Sequence, residues 1–110
     1  EDAFQYGKKE AIGEIKNHPI IKNLKKVNSI TVNKVHVNPK TIESLLKKYL
    51  PDIENMEGLA FYYVCYLLQK DCIEIRSISN YVEKRNKENW DIKGAIKNLN
   101  QTLFDLLESL

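Results

Sequence analysis

Cysteine, glycine and histidine are all scarce in this sequence. Cys65 and Cys72 are the only cysteines in 110 residues, too few for the disulfide framework of a small secreted domain. Free cysteine behaves as a small hydrophobe, so both are expected to be reduced and buried. The four glycines, at positions 7, 13, 58 and 94, form neither a phosphate loop nor a dinucleotide fingerprint. His18 and His36 are isolated, and no Cys/His spacing resembles a zinc site. A Cys–His nucleophile pair is disfavoured because Cys65 sits inside an apolar run. No apolar stretch reaches the ~20 residues of a membrane span, and no signal-like segment opens the chain. The expectation is a cytoplasmic protein with no membrane partner.

An excess of charge of one sign is also missing. Seventeen basic against fifteen acidic side chains leave a net charge of +2. The basic residues are nearly all lysine, with Arg76 and Arg85 the two exceptions. The lysine pairs at 8–9, 25–26 and 47–48 are scattered among acids, whereas a nucleic-acid footprint needs clustering on one face. No nucleic-acid partner is expected. What remains, 43% hydrophobic and 29% charged residues, has the composition of one soluble globular domain.

Residues 1–27 carry little pattern: Gly7 and Gly13 add breaks, and Pro19 interrupts a weak helical period. This stretch reads as a loop, an insertion or frayed helices. It opens without a start methionine, as if in the middle of something. From Ser29 the signals sharpen. Ile30, Val32, Val35 and Val37 predict a strand with a bulge near Asn33-Lys34. Asn38-Pro39 supplies a cap and a first-turn proline for a helix whose apolar face is Ile42, Leu45, Leu46 and Leu50. Pro51 stops it. A short extended run over 52–56 precedes a second helix over 57–70, apolar or aromatic on every side between Leu59 and Leu68. Such a helix must be covered all round. Alternation over Cys72–Ile78 predicts a third strand, 79–90 a polar loop, and Asp91 the cap of a long amphipathic helix expected to dock onto the sheet. The fold class is therefore α/β. Three short strands and two surface helices offer too little area to bury the apolar helix, so a larger domain or a partner is expected to cover it.

Two places combine polar groups with strand ends, where α/β sheets bind ligands. In Glu54-Asn55-Met56-Glu57-Gly58 a strand gives way to the apolar helix. Glu57 on the first turn either caps the helix or offers a carboxylate, favoured there by the helix dipole, to a pair of hydroxyls. In Arg76-Ser77-Ile78-Ser79-Asn80 the third strand runs out, and Ser79-Asn80 is either a turn or the other wall of the same crevice.

These two segments, at this separation, resemble the nucleoside phosphorylase and nucleosidase superfamily. There a Met-Glu-Gly or Met-Glu-Ala element opens a helix, and Arg-x-Ile-Ser-Asp/Asn follows about twenty residues later; here they stand as Met56-Glu57-Gly58 and Arg76–Asn80. Ile53–Phe61, Ser79–Arg85, Trp90, Ile92 and Ala95–Asn100 are similar to the futalosine hydrolase branch. The resemblance spans 28–110. It implies a phosphorylase/hydrolase-like mixed sheet flanked by helices, with residues 1–110 as the C-terminal portion of one such α/β domain.

The resemblance also implies roles. Glu57 holds the ribose 2′- and 3′-hydroxyls, Met56 packs on the sugar, and a carboxylate there favours an oxocarbenium-like transition state. Asn80 stands where adenine-specific nucleosidases carry Asp. Its amide donates to N7 and O6, which suits a 6-oxopurine such as hypoxanthine. Ser79 orients Asn80, and His36 and Val37 lie along the base, His36 stacking on it. The implied reaction is hydrolysis of a purine nucleoside, futalosine to hypoxanthine, in menaquinone biosynthesis. No metal or organic cofactor is implied, the partner is the nucleoside, and the assembly is a homodimer. Leu59 departs from the small residue usual in the family. The opening Gly-rich strand and the acid that activates water have no counterpart, so the chain alone is expected to be inactive. A methylthioadenosine/S-adenosylhomocysteine nucleosidase, a purine nucleoside phosphorylase and a non-catalytic interaction module remain alternatives.

Overall fold

A computed structural model describes residues 17–110. The elements run α1 (Pro19–Asn23), β1 (Ser29–Thr31), α2 (Pro39–Tyr49), β2 (Ile53–Asn55), α3 (Gly58–Leu67), a 3-10 turn (Lys87–Asn89) and α4 (Ile92–Ser109). The α/β class is as read from the sequence. Among the described residues the sheet has two strands, β1 and β2, parallel and in register with Ser29 opposite Ile53 and Thr31 opposite Asn55. Most of the poorly patterned segment, residues 1–16, lies outside the described residues. Its end does not frustrate a helix at Pro19. The proline sits in the first turn of α1, and His18 Nδ1 accepts the Ile20 N–H at 3.2 Å.

Capping explains where the longer helices begin. Asn38 Oδ1 accepts from the amides of Lys40 and Thr41, and Asp91 Oδ1 from that of Gly94, so α2 and α4 start where their sequence signals put them. Helix α3 ends at Leu67, three residues short of the helix expected over 57–70. Gln69 takes a left-handed backbone, φ 51°. Its N–H donates to the Tyr66 carbonyl and that of Lys70 to the Cys65 carbonyl, the paired closure that ends many helices, here without glycine.

The first strand is shorter than the valine alternation predicts. It ends at Thr31, a last ladder bond runs from Val32 N–H to the Asn55 carbonyl, and the chain bends at Asn33-Lys34. The expected third strand does not form: residues 70–81 have no regular secondary structure. Alternation prepares a strand, but a ladder also needs backbone pairing, and residues 72–78 pair with neither β1 nor β2. Here Cys72–Ile78 is held by side chains instead, with Arg76 joined to both Glu74 and Glu57.

Burial is thin. Ile21, Ala95 and Leu106 form the buried apolar core, and among the described residues no side chain is fully enclosed. Helix α4 finds its cover in α1 rather than the sheet, and Ser109 Oγ meets His18 Nε2 at 3.0 Å. Helix α3 has the uncovered surface its sequence foretells, with Phe61, Tyr63, Val64, Tyr66 and Leu67 exposed. Cys65 and Cys72 are free thiols but only half-buried, a correction to their expected burial. Desolvation and a hydrogen bond to the Cys65 sulfur push the Cys72 thiol up to about 11. No helix among the described residues is long and apolar enough to cross a membrane.

The buried polar residue is Asn55, 7% exposed. Its Oδ1 accepts the amides of Glu57 (3.1 Å) and Gly58 (2.7 Å) and the Thr31 hydroxyl (3.3 Å), while its Nδ2 donates to Ser29 Oγ. Thr31 Oγ1 accepts the Leu59 amide at 2.9 Å. Three orphan donors at the start of α3 are thus satisfied by side chains from β1 and β2. A Cβ on Gly58 would stand 2.9 Å from Asn55 Oδ1, so this close approach requires glycine. Asn55→Ala removes an acceptor from partly and fully buried donors. A loss of about 1–3 kcal/mol is expected in urea unfolding; an unchanged midpoint would show that water replaces the amide.

Candidate active site

A cavity of about 260 Å³ opens between β2 and the segments 35–37 and 76–90, near the lower limit of small-molecule sites. Val35, Val37 and Ile53 give it apolar lining, Ser79 and Asn80 bring polar groups, and Trp90 also lines it, with the Arg85 guanidinium 5.6 Å from its ring centre. The 79–90 loop is closed at its base by the Asp91 amide, which donates to the Ser79 carbonyl at 2.7 Å. The start of α4 therefore fixes where Ser79 and Asn80 sit.

Within this loop Ser79 Oγ donates to Asn80 Oδ1 at 2.5 Å, and Asn80 Nδ2 donates to the Tyr81 carbonyl at 3.0 Å. The amide is thereby oriented, with its oxygen engaged and one N–H left for a ligand acceptor. Met56 and Glu57 lie between β2 and α3, outside the cavity lining, and both are exposed. Arg76 bridges the two groups: it lines the cavity and its Nη2 lies 3.4 Å from Glu57 Oε2. Val37, Ser79 and Asn80 are thus brought together, with Glu57 linked to them through Arg76, whereas Met56 is exposed and outside the lining. The His36 ring is placed differently. It rests on Glu54, with Nδ1 2.6 Å from Oε2, and is not part of the cavity lining.

The two readings of Glu57 separate here. It occupies the cap position of α3 but its side chain makes no capping bond, because Asn55 and Thr31 have taken the donors. Its carboxylate, with the side chain 73% exposed, is available to a ligand. Nearby, burial and the Glu74 carboxylate push the Tyr62 phenol up, so Tyr62 stays protonated beside the arginine. No cluster of three or more His, Cys, Asp or Glu among the described residues is arranged to hold a metal ion.

The sequence profile of the phosphorylase superfamily matches residues 8–110. The chain belongs to that superfamily. It is also similar to a futalosine hydrolase from Thermus thermophilus, at 32% identity over 84 residues, covering 76% of this chain and 37% of that protein. The chain thus spans well under half the length of this relative. No solved structure gives a significant match.

Sequence reasoning assigned no role to Glu54, Arg76 or Trp90, although Arg76 stood in the superfamily motif. Glu54 had a signal, since a lone acid next to Ile53 in a strand needs a partner. That partner, His36, is eighteen positions away, and pattern does not reach that far. Because Asn55 rather than Glu57 caps α3, Glu57→Gln is expected to change stability by less than about 1 kcal/mol. A loss as large as that from Asn55→Ala, in the same urea titration, would return Glu57 to the role of cap.

Proposed function

We propose that this chain forms the base- and ribose-binding face of a purine nucleosidase, which hydrolyses futalosine to hypoxanthine and dehypoxanthine futalosine in cytoplasmic menaquinone biosynthesis. The observation that carries this reading is the Ser79–Asn80 pair: a carboxamide held by its oxygen, on the wall of a cavity whose neighbouring carboxylate is free of the helix it starts. Asn80 keeps an N–H for N7 or O6 of a 6-oxopurine. Glu57 accepts from the two ribose hydroxyls, Met56 packs on the sugar, and Val37 lies against the base. His36 supports that wall from behind rather than stacking, given its bond to Glu54.

In the reaction, water adds its oxygen to the anomeric carbon as the C–N bond breaks, and the base leaves with a proton. Glu57 lies where a negative charge offsets the positive charge that develops on the ribose. Arg76, shared between Glu57 and Glu74, holds that carboxylate in place. No residue of the described chain is assigned to activate the water. Turnover is therefore proposed only where further polypeptide supplies that group and covers the open face of α3. The name of the Thermus thermophilus relative supports futalosine as substrate, and Asn80 disfavours adenine nucleosides.

The uncovered apolar side of α3 favours a second reading, a non-catalytic module that pairs through this helix with another copy of the chain. Base release separates the two. Futalosine, methylthioadenosine and inosine are incubated in phosphate-free buffer with this chain and with the longest reading frame of its gene. Hypoxanthine from the long form is the expected result, and Asn80→Asp is expected to shift preference towards the 6-aminopurine by about tenfold or more. Release of adenine instead, or dependence on phosphate, would overturn the futalosine assignment. A stable dimer by size exclusion that releases no base would favour the interaction module.

A further inference from the structure

Glu54 has no part in the reading above, yet it is the most enclosed carboxylate beside the cavity, its side chain 9% exposed. A carboxylate taken so far out of water is costly unless it is fully hydrogen-bonded. Both of its oxygens are engaged, and by the same residue. Oε1 accepts the main-chain N–H of His36 at 3.2 Å, and Oε2 stands 2.6 Å from the ring Nδ1. The ring is itself 17% exposed. His36 is in a stretch with no regular secondary structure, where no ladder holds the backbone. Its neighbours Val35 and Val37 both line the cavity. Among the described residues, the hydrogen bonds made by His36 run to a carboxylate on β2, which grips this stretch by main chain and ring together.

We propose that Glu54 is a positioning residue of the candidate site: its two-pronged grip on His36 fixes the Val35–Val37 wall against which the base lies. The grip also decides the His36 tautomer. In a neutral ring the nitrogen 2.6 Å from a carboxylate oxygen is the one that carries the hydrogen, so Nδ1 donates to Glu54 and Nε2 is left as the acceptor. The other histidine makes the opposite choice. His18 Nδ1 accepts the Ile20 amide, which puts its proton on Nε2, facing Ser109 Oγ. The consequence for ligand affinity rests on the proposed nucleoside function; the grip and the tautomer do not.

Two readouts on the full chain test this separately. Long-range proton–nitrogen NMR of the two imidazoles reports the tautomer, with His18 as the internal opposite. His36 protonated on Nδ1 in the parent, and moved to Nε2 in Glu54→Gln, is the expected result, since the glutamine keeps the shape but turns a donor towards the ring. The single tryptophan, Trp90, lines the cavity and reports occupancy by its fluorescence when hypoxanthine is added. Glu54→Gln is expected to weaken that response by about tenfold, the value of one charge-assisted hydrogen bond. His36 protonated on Nε2 in the parent, or an unchanged tautomer in the variant, would overturn the grip. A moved tautomer with unaltered hypoxanthine affinity would overturn the positioning role. A parent chain whose Trp90 ignores hypoxanthine would count against the nucleoside reading and against a positioning role for Glu54, while the NMR result still decides the grip.

Discussion

The amide of Asn55 ties this molecule together. It stands at the end of β2, is nearly enclosed, and reaches three ways: to Ser29 and Thr31 on the neighbouring strand and to the first amides of α3. The bond to the Gly58 amide is the buried one, where a lost acceptor costs most, and the others are half-buried. With so little apolar core elsewhere, the junction of the two strands with α3 depends on this polar knot more than on packing. The close approach it enforces is also why residue 58 is glycine.

The same knot has a chemical consequence. A helix start exposes donors that attract whatever acceptor stands nearest, and Glu57 stands in the cap position. Asn55 and Thr31 occupy those donors first, so the Glu57 carboxylate turns outward to Arg76. Arg76 in turn carries the link into the cavity that Ser79 and Asn80 line. Fold and candidate site are thus one network, in which a strand-end amide leaves a helix-start carboxylate free for other work.

Local signals in the sequence were legible wherever the deciding groups are close neighbours. Asn38-Pro39 and Asp91 announce α2 and α4 because a cap bonds to amides two or three residues on. The all-apolar run of α3 announces an uncovered face by composition alone, which exceeds what the rest of the described chain buries. What stayed hidden was non-local or atypical. The cap of α3 comes from the preceding strands, its end from a glutamine in a conformation usually left to glycine, and the grip on His36 from an acid eighteen positions away. The alternation over Cys72–Ile78 is real, but a strand is a property of two edges, and the sequence describes one. For the site, the motif spacing pointed to Met56, Glu57, Ser79 and Asn80 as a group. Only the fold brings Arg76 from the cavity wall to Glu57 and sets the His36 ring on Glu54, outside the lining.

Glu57, released from capping by Asn55, is the group proposed to meet a ribose. A crystal structure with inosine bound tests this role most directly. Both ribose hydroxyls are expected within hydrogen-bond distance of Glu57, with the base beside Asn80 and Asn55 still holding the Gly58 amide. A Glu57 carboxylate turned back onto the amides of α3, with the nucleoside elsewhere, would contradict it.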